Sequence, residues 1–306
     1  MFLSPGAGAG NLTPNGARDA WSQPPSPNMK LTHNQYGKAR VRVLKVIRAG
    51  TEHSVKELTV TVLLQGDFDA AYSQSSNRLV VPTDTMKNTV NILAKENLGT
   101  ENELFGTLLG EHFLKTYPQV HRAEIHLSEH CWKRISVAGK SHAHSFEEAT
   151  AARPVAKIVS ERAGNTVESG IEDLLILKTT GSGFEGYVKD QFTTLPEVKD
   201  RVFATRMNAF WTYERTPKSY AETHGRVLDA MLSVFAQNYS PSVQATLHQM
   251  GEAALEVAPE ISRIHLTMPN KHCLLVNLTP FGLENPNELF VPTDEPYGLI
   301  EGTVSR

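Results

Sequence analysis

Hydrophobic and polar positions along this chain switch between two periods. In 40–48 and 56–65 β-branched residues are frequent, and Leu58, Val60, Val62 and Leu64 alternate with Thr59 and Thr61. A period of two sends alternate side chains to one buried face, so these segments predict two antiparallel strands joined as a hairpin. Met86, Val90, Leu93 and Ala94 then recur at helical spacing. They predict a helix over 85–96, followed by a second over 104–117 that stops before Pro118. Strand character returns at 121–137 and 155–160. The second half repeats the order, with strands at 174–179 and 202–213, helices at 220–238 and 243–258, and strands at 261–267 and 272–278.

Two units of similar length and order predict an α+β fold: an antiparallel strand-strand-helix-helix-strand-strand unit over 29–160 and another over 161–306. With two helices on one face of each sheet, the other face and the edges need cover, which predicts a homo-oligomer. Residues 1–28 are rich in Gly, Pro, Ser and Asn and predict a disordered tail, with Met29 a candidate start. The tetrapeptide Val-Pro-Thr-Asp occurs at 81–84 and at 291–294. The first ends a short apolar run, Leu79–Val81, read as the end of a strand, and puts Thr83 and Asp84 at a helix start as caps. The second meets Pro296 and Gly298 and predicts a turn.

Composition narrows the function classes. The 306 residues are 40% hydrophobic, enough for a sizeable core, and the formal charge of -3 with mixed signs gives no footprint for nucleic acid or an anionic membrane. An anionic ligand must therefore be held by a local site. Cys131 and Cys273 offer neither a disulfide framework nor a metal knuckle, no run of about 18 apolar residues is present, and the N-terminus lacks a signal-peptide layout. A cytoplasmic location is expected, since the final Thr303-Val-Ser-Arg306 is not a peroxisomal address either.

Two motifs suggest chemistry that their surroundings do not support. Gly181-Ser-Gly-Phe-Glu-Gly186 fits the dinucleotide fingerprint of a nicotinamide-dependent dehydrogenase, but the required helix and parallel strand do not follow. His126-Leu-Ser-Glu-His130 matches a zinc-peptidase pattern. It alternates as a strand, which separates the two histidines by about 13 Å, too far for one zinc. No nucleophile elbow, P-loop or paired-carboxylate signature appears, and no metal or organic cofactor is expected.

Many short segments, in order, resemble the urate oxidase (uricase) family. They are Tyr36-Gly-Lys38 with Arg40–Lys45, Val81-Pro-Thr-Asp-Thr-Met-Lys-Asn-Thr89, Glu103-Leu-Phe-Gly106, His142-Ala-His-Ser-Phe146 and Phe184. Gln191-Phe-Thr-Thr-Leu195, Asp200-Arg201, Ser242-Val-Gln-Ala-Thr246 and Pro269-Asn-Lys-His272 complete the set. The resemblance covers about 36–304 and implies tandem T-fold (tunnelling-fold) units assembled as a homotetramer around a β-barrel tunnel. It implies oxidation of urate by O2 to 5-hydroxyisourate and hydrogen peroxide without metal, flavin or nicotinamide. By the same resemblance Lys38, Thr83 and His272 form a proton relay, and Thr83, Asp84, Phe184, Arg201, Val243, Gln244 and Asn270 contact the substrate, in a pocket between subunits. Pro82 stands where some members carry a smaller residue.

The residue types suit that chemistry. Urate is a planar anion edged with carbonyls and N–H groups: an aromatic face can stack on it, an arginine fork can bind it in its plane, and an amide matches its edge. A lysine serves as a base only when neutral, which desolvation and nearby cations favour. The remaining alternatives are a dehydrogenase using the 181–186 loop and a non-catalytic purine-binding tunnelling-fold protein.

Overall fold

The computed structural model describes residues 29–149 and 152–306, so the tail expected at 1–28 lies outside the described residues. The chain opens with a hairpin of β1 (Tyr36–Ala49) and β2 (Glu52–Gly66), then a short helix α1 (Asp69–Ser73), α2 (Thr83–Asn97) and α3 (Asn102–Thr116). Strands β3 (Val120–His130), β4 (Trp132–Val137), β5 (Lys140–Glu148), β6 (Arg153–Glu161), β7 (Gly164–Lys178) and β8 (Phe203–Tyr213) follow. Helices α4 (Tyr220–Gln237) and α5 (Val243–Val257) precede β9 (Ile261–Thr267), β10 (Asn270–Leu275), β11 (Phe290–Gly298) and β12 (Glu301–Ser305).

Ten strands form one antiparallel sheet in the order β1-β2-β3-β6-β7-β8, beyond which β8 is flanked by β9 with β12 and by β10 with β11. The register carries one buried face across it: Val62 lies opposite Ile125, Ile125 opposite Ile158, and Ile158 opposite Val167. On the β2 side, Leu58, Val60, Val62 and Leu64 are fully buried with Met86, Val90, Phe105, Leu109 and Phe113 of α2 and α3. On the β8 side, Phe203, Met207, Ala209 and Trp211 pack with Val227, Met231 and Phe235 of α4 and Leu247 and Met250 of α5. Each such large apolar side chain contributes roughly 2 kcal/mol by leaving water. Helix α3 lies close on β6 because Gly106 and Gly110 face it; a Cβ there would meet the Ile158 Cδ1 at 2.4 Å and the Ser160 Oγ at 2.2 Å.

The opposite face carries polar residues such as Thr59, Thr61, His126, Lys157 and Glu168, which line a cleft of about 400 Å³. On the same strand as His126, Glu124 loses some solvation, which raises its pKa, but hydrogen bonds from His126, Lys157 and Arg122 and the charge of Lys157 outweigh that and hold it at about 2. Among the described residues no barrel closes within one chain, since β1 ends the sheet on one side. No described helix is long and apolar enough to cross a membrane.

Four expectations need correction. The strand expected over 121–137 breaks at Cys131: Trp132–Val137 leave the main sheet and pair with the unforeseen β5. The Trp132 Nε1 donates to Glu57 at 2.9 Å and Arg134 donates to the backbone of His53, tying that hairpin to β2. Strand β7 begins at Gly164 rather than Leu174, because the polar stretch 164–169 pairs with β6. Residues 79–81 form no strand; they are a turn whose Val81 is buried. The second Val-Pro-Thr-Asp is part of β11, where Pro292 and Pro296 are tolerated because only β10 pairs with that strand.

Candidate active site

The expected site residues fall into two groups. The first is arranged around the start of β1. Lys38 faces Val62 across the hairpin, and the register slips between Lys38 and Val41, with Arg40 at a φ of 58°. Such a bulge re-aims the side chains beside it. Gly37 is required here, because a Cβ would lie 1.8 Å from the Val62 carbonyl. Tyr36, to which sequence reasoning gave no role, fixes the rest. Its hydroxyl accepts from the Val81 N–H at 2.7 Å and donates to the Val81 carbonyl at 3.1 Å, while its ring meets Phe68 edge-on at 4.8 Å. The entry to α2 is thereby pinned to β1 beside Lys38.

Neither Thr83 nor Asp84 is the cap expected from the sequence. Pro82 holds the N-cap position, no side chain caps the helix, and Thr83 is its first residue. Its hydroxyl is thus not used in capping. The Asp84 carboxylate binds Lys87 and accepts from Asn88 at 3.1 Å. Its pKa is lowered chiefly by the Lys87 hydrogen bond and charge, with smaller contributions from Asn88 and from Lys38, whose ammonium is within electrostatic reach.

The second group is built around the connection from β7 to β8. Gly181 N–H and Thr180 Oγ1 donate to the Asp200 carboxylate at 2.9 to 3.0 Å. Asp200 is thereby committed to the loop and forms no ion pair with Arg201, the residue beside it. The Gly183 N–H donates to the Ser240 carbonyl at 2.9 Å and the Arg201 N–H to the Ser182 carbonyl at 2.8 Å, so the loop is laced to the segment that opens α5. There Ser242 caps the helix by accepting from the Ala245 N–H at 3.1 Å, Val243 is buried and Gln244 is exposed. Arg201 lies with its guanidinium 5.4 Å from the ring centroid of Phe184. Burial lowers its pKa, opposed by Tyr239 nearby, but an arginine stays charged under such a shift.

Arg201 has no carboxylate partner among the described residues, and its Nε is buried without a hydrogen bond. The Ser182 and Thr205 hydroxyls are likewise buried and unpaired. Buried polar atoms are nearly always paired, so the orphaned Nε of this desolvated cation, with the unpaired Ser182 hydroxyl on the residue that accepts from the Arg201 N–H, marks a place suited to a polar, anionic occupant. Asn270 and His272 belong to this group: β10 joins β8 through Asn270 opposite Thr205, and His272 lies opposite Thr293 on β11.

The chain does not bring the groups together. Five strand spacings separate β1 from β8, roughly 24 Å along the sheet. The tempting motifs also resolve. Gly181–Gly186 stays a loop between antiparallel strands, closed by a Phe184–Val198 bridge, with no helix following it. His126 and His130 lie on β3 with separate partners, Glu124 and Glu148. Among the described residues no cluster of three or more His, Cys, Asp or Glu is placed to hold a metal.

With this geometry in place, comparison with known proteins is specific. A family model described as uricase matches residues 34–159 and 167–301. A uricase from Dictyostelium discoideum is 43% identical over 279 residues, covering 90% of this chain and 97% of that protein. A uricase from Arthrobacter globiformis is 40% identical over 276 residues, covering 90% of each. The crystal structure of uricase from Arthrobacter globiformis matches with a TM-score of 0.87 at 39% identity, covering 91% of this chain and 95% of that one.

Proposed function

The chain belongs to the uricase family, and from that premise we propose that it converts urate, O2 and water to 5-hydroxyisourate and hydrogen peroxide without a metal or organic cofactor. The observation that carries this reading is the unpaired, half-buried Arg201 guanidinium above Phe184. A desolvated cation beside an aromatic face suits a flat anion: the ring stacks on Phe184 while Arg201 swings into its plane and donates two charge-assisted bonds. Gln244, at the exposed start of α5, offers a donor and an acceptor to the purine edge, and Val243 contributes its backbone N–H.

In this reading Lys38 removes a proton from bound urate, Thr83 passes it through a rotating hydroxyl, and His272 holds the lysine and completes the relay. Asn270 and Thr83 hold O2 or water against the ring, and the N-terminus of α2, with Asp84, faces the substrate from the side opposite Arg201. Deprotonation matters because triplet O2 reacts with a closed-shell molecule by accepting single electrons, and the more negative purine yields them more readily. Lys38 on β1 and Arg201 in the connection from β7 to β8 lie far apart in one chain, so the pocket needs a second copy. A homotetramer of tandem T-fold units, its unpartnered sheet edges joined and its polar face lining a tunnel, supplies that copy and the cover the open face lacks. The relay then works where a neighbouring chain excludes water, in a protein we place in the cytoplasm.

The test uses protein dialysed against a strong chelator and freed of flavin and nicotinamide. Loss of urate absorbance together with O2 uptake and peroxide formation is expected. No turnover under O2 would discard the oxidase reading, binding of urate without turnover would favour a silent purine-binding protein, and turnover only with added nicotinamide would favour the dehydrogenase.

A further inference from the structure

Phe184 is one layer of a longer stack. Tyr187 lies parallel to it, ring centroids 4.8 Å apart and planes 13° apart, and the Lys189 ammonium is 5.5 Å from the Tyr187 centroid on the way to Glu197. A parallel ring at that distance covers one face of Phe184, and the Arg201 guanidinium lies 5.4 Å from the same ring centroid. The loop is braced to keep Tyr187 there. Gly186 turns at a φ of 69° and donates to Glu197 at 3.2 Å, Glu197 pairs with Lys189 at 3.0 Å, and the Tyr187 hydroxyl donates to the Leu195 carbonyl. Asp190 closes the turn between them by accepting from the Phe192 N–H at 2.9 Å. The Gln191–Leu195 segment, one of the family-like stretches that supplies no substrate contact, thus anchors the tyrosine.

We propose that Tyr187 is a positioning residue for urate: by occupying one face of Phe184 it fixes the plane of that ring and reserves the opposite face, beside Arg201, for the purine. This rests on the reading that Phe184 stacks on urate. A phenyl ring held only by its backbone rotates about its side-chain bonds, and a planar ligand must then pay to order it; a parallel neighbour removes that freedom before the ligand arrives. The proposal concerns binding, so its signature is a change in KM with kcat nearly kept. Urate affinity without O2 should change in parallel, since no chemistry then intervenes.

The experiment compares Phe184→Leu, Tyr187→Leu, Tyr187→Gln and Tyr187→Phe by steady-state kinetics and by anaerobic equilibrium dialysis of urate, on protein with wild-type far-UV dichroism and elution volume. Tyr187→Leu and Tyr187→Gln both remove the ring, so either one, folded, suffices. The expected result is a KM and dissociation constant raised roughly three- to tenfold by loss of the Tyr187 ring, kcat within about twofold, and recovery to within about twofold in Tyr187→Phe. An unchanged KM without the ring, in a protein whose Phe184→Leu variant does raise it, overturns the proposal while leaving the stacking site intact. An unchanged KM in both overturns the stacking reading and the proposal with it. A Tyr187→Phe variant as weak as Tyr187→Leu also overturns it, because the hydroxyl tie and not the ring would then be the cause.

Discussion

The two groups of candidate residues, Lys38 with Thr83 on one side and Arg201 with Phe184 on the other, are built in opposite ways. Around Arg201 the chain has finished its work: the guanidinium is half-buried beside Phe184, its Nε is unpaired, and its neighbouring aspartate is committed to a loop. Around Lys38 it has not. The lysine sits on the terminal strand of the sheet, Asp84 is exposed, and its interactions are short-range contacts open to solvent. A binding clamp can be preorganised by one chain, since affinity gains most from rigid, desolvated groups. A proton-transferring amine must meet the substrate in a dry site, and on this account its surroundings come from a second copy. Chemistry should therefore depend on Lys38 and Thr83, binding on Arg201 and Phe184.

The sharpest way to break this contrast is Lys38→Met. Loss of a general base predicts a fall in kcat of roughly a hundred- to ten-thousandfold with KM and oligomeric state retained, and Thr83→Ala should follow in the same direction. Near-normal kcat in both would remove the relay. Arg201→Gln should act on the other side, raising urate KM roughly ten- to a hundredfold because two charge-assisted bonds are lost, measured under O2 saturation. If it lowered kcat alone, the clamp and base roles assigned here would be exchanged.

Tyr36→Phe sharpens the comparison by loosening the base side without touching a reacting group. It leaves the Val81 N–H in the interior without its partner, so urea unfolding should show a loss of about 1–3 kcal/mol, and kcat should fall several-fold with KM retained. Asp84→Asn is the mildest change. The Asp84 carboxyl has its pKa lowered in the folded state, so any stability from the pair with Lys87 is present above the usual aspartate value and is lost as pH falls below it through the lowered folded value. Because the group is fully exposed, melting temperatures of Asp84→Asn and the parent protein should coincide at neutral pH and stay close on acidification, while urate KM rises modestly.

Much of the fold was legible because it rests on local periodicity. Leu58, Val60, Val62 and Leu64 announced β2, and the helices start and stop within a few residues of their expected bounds where apolar spacing and Pro118 mark them. What escaped was set by distant partners. Residues 79–81 have the composition of a strand end, yet Tyr36, some 45 positions away, turns them into a buried bend. Strand β5 is largely polar on both sides, so no alternation betrayed it, and the attachment of the β4–β5 hairpin depends on Arg134 reaching back to His53. The start of β7 is hidden for a similar reason, its polar residues being matched to β6 by register.

The site residues were less legible than the fold. Taken singly, Arg201 is a surface arginine and Phe184 a core aromatic; only resemblance linked them in the sequence, and the backbone pairing of Ser182 with Arg201 and of Phe184 with Val198 puts them together in space. Tyr36, Tyr187 and Asp200 carry no signal of their own, because each acts by fixing a neighbour. A pair such as Asp200-Arg201 reads as local charge compensation until the loop that claims the aspartate is seen.

The claim that the clamp of one chain works with the base of another is tested most directly by co-expressing Lys38→Met and Arg201→Gln variants and assaying at urate well below the parent KM, where each is nearly inactive alone. In a mixed pair that shares two sites, one site carries both substitutions and the other neither, so random assembly predicts recovery of about one quarter of the parent activity. Mixed oligomers, verified by two affinity tags, with no more activity than either variant alone would contradict the account.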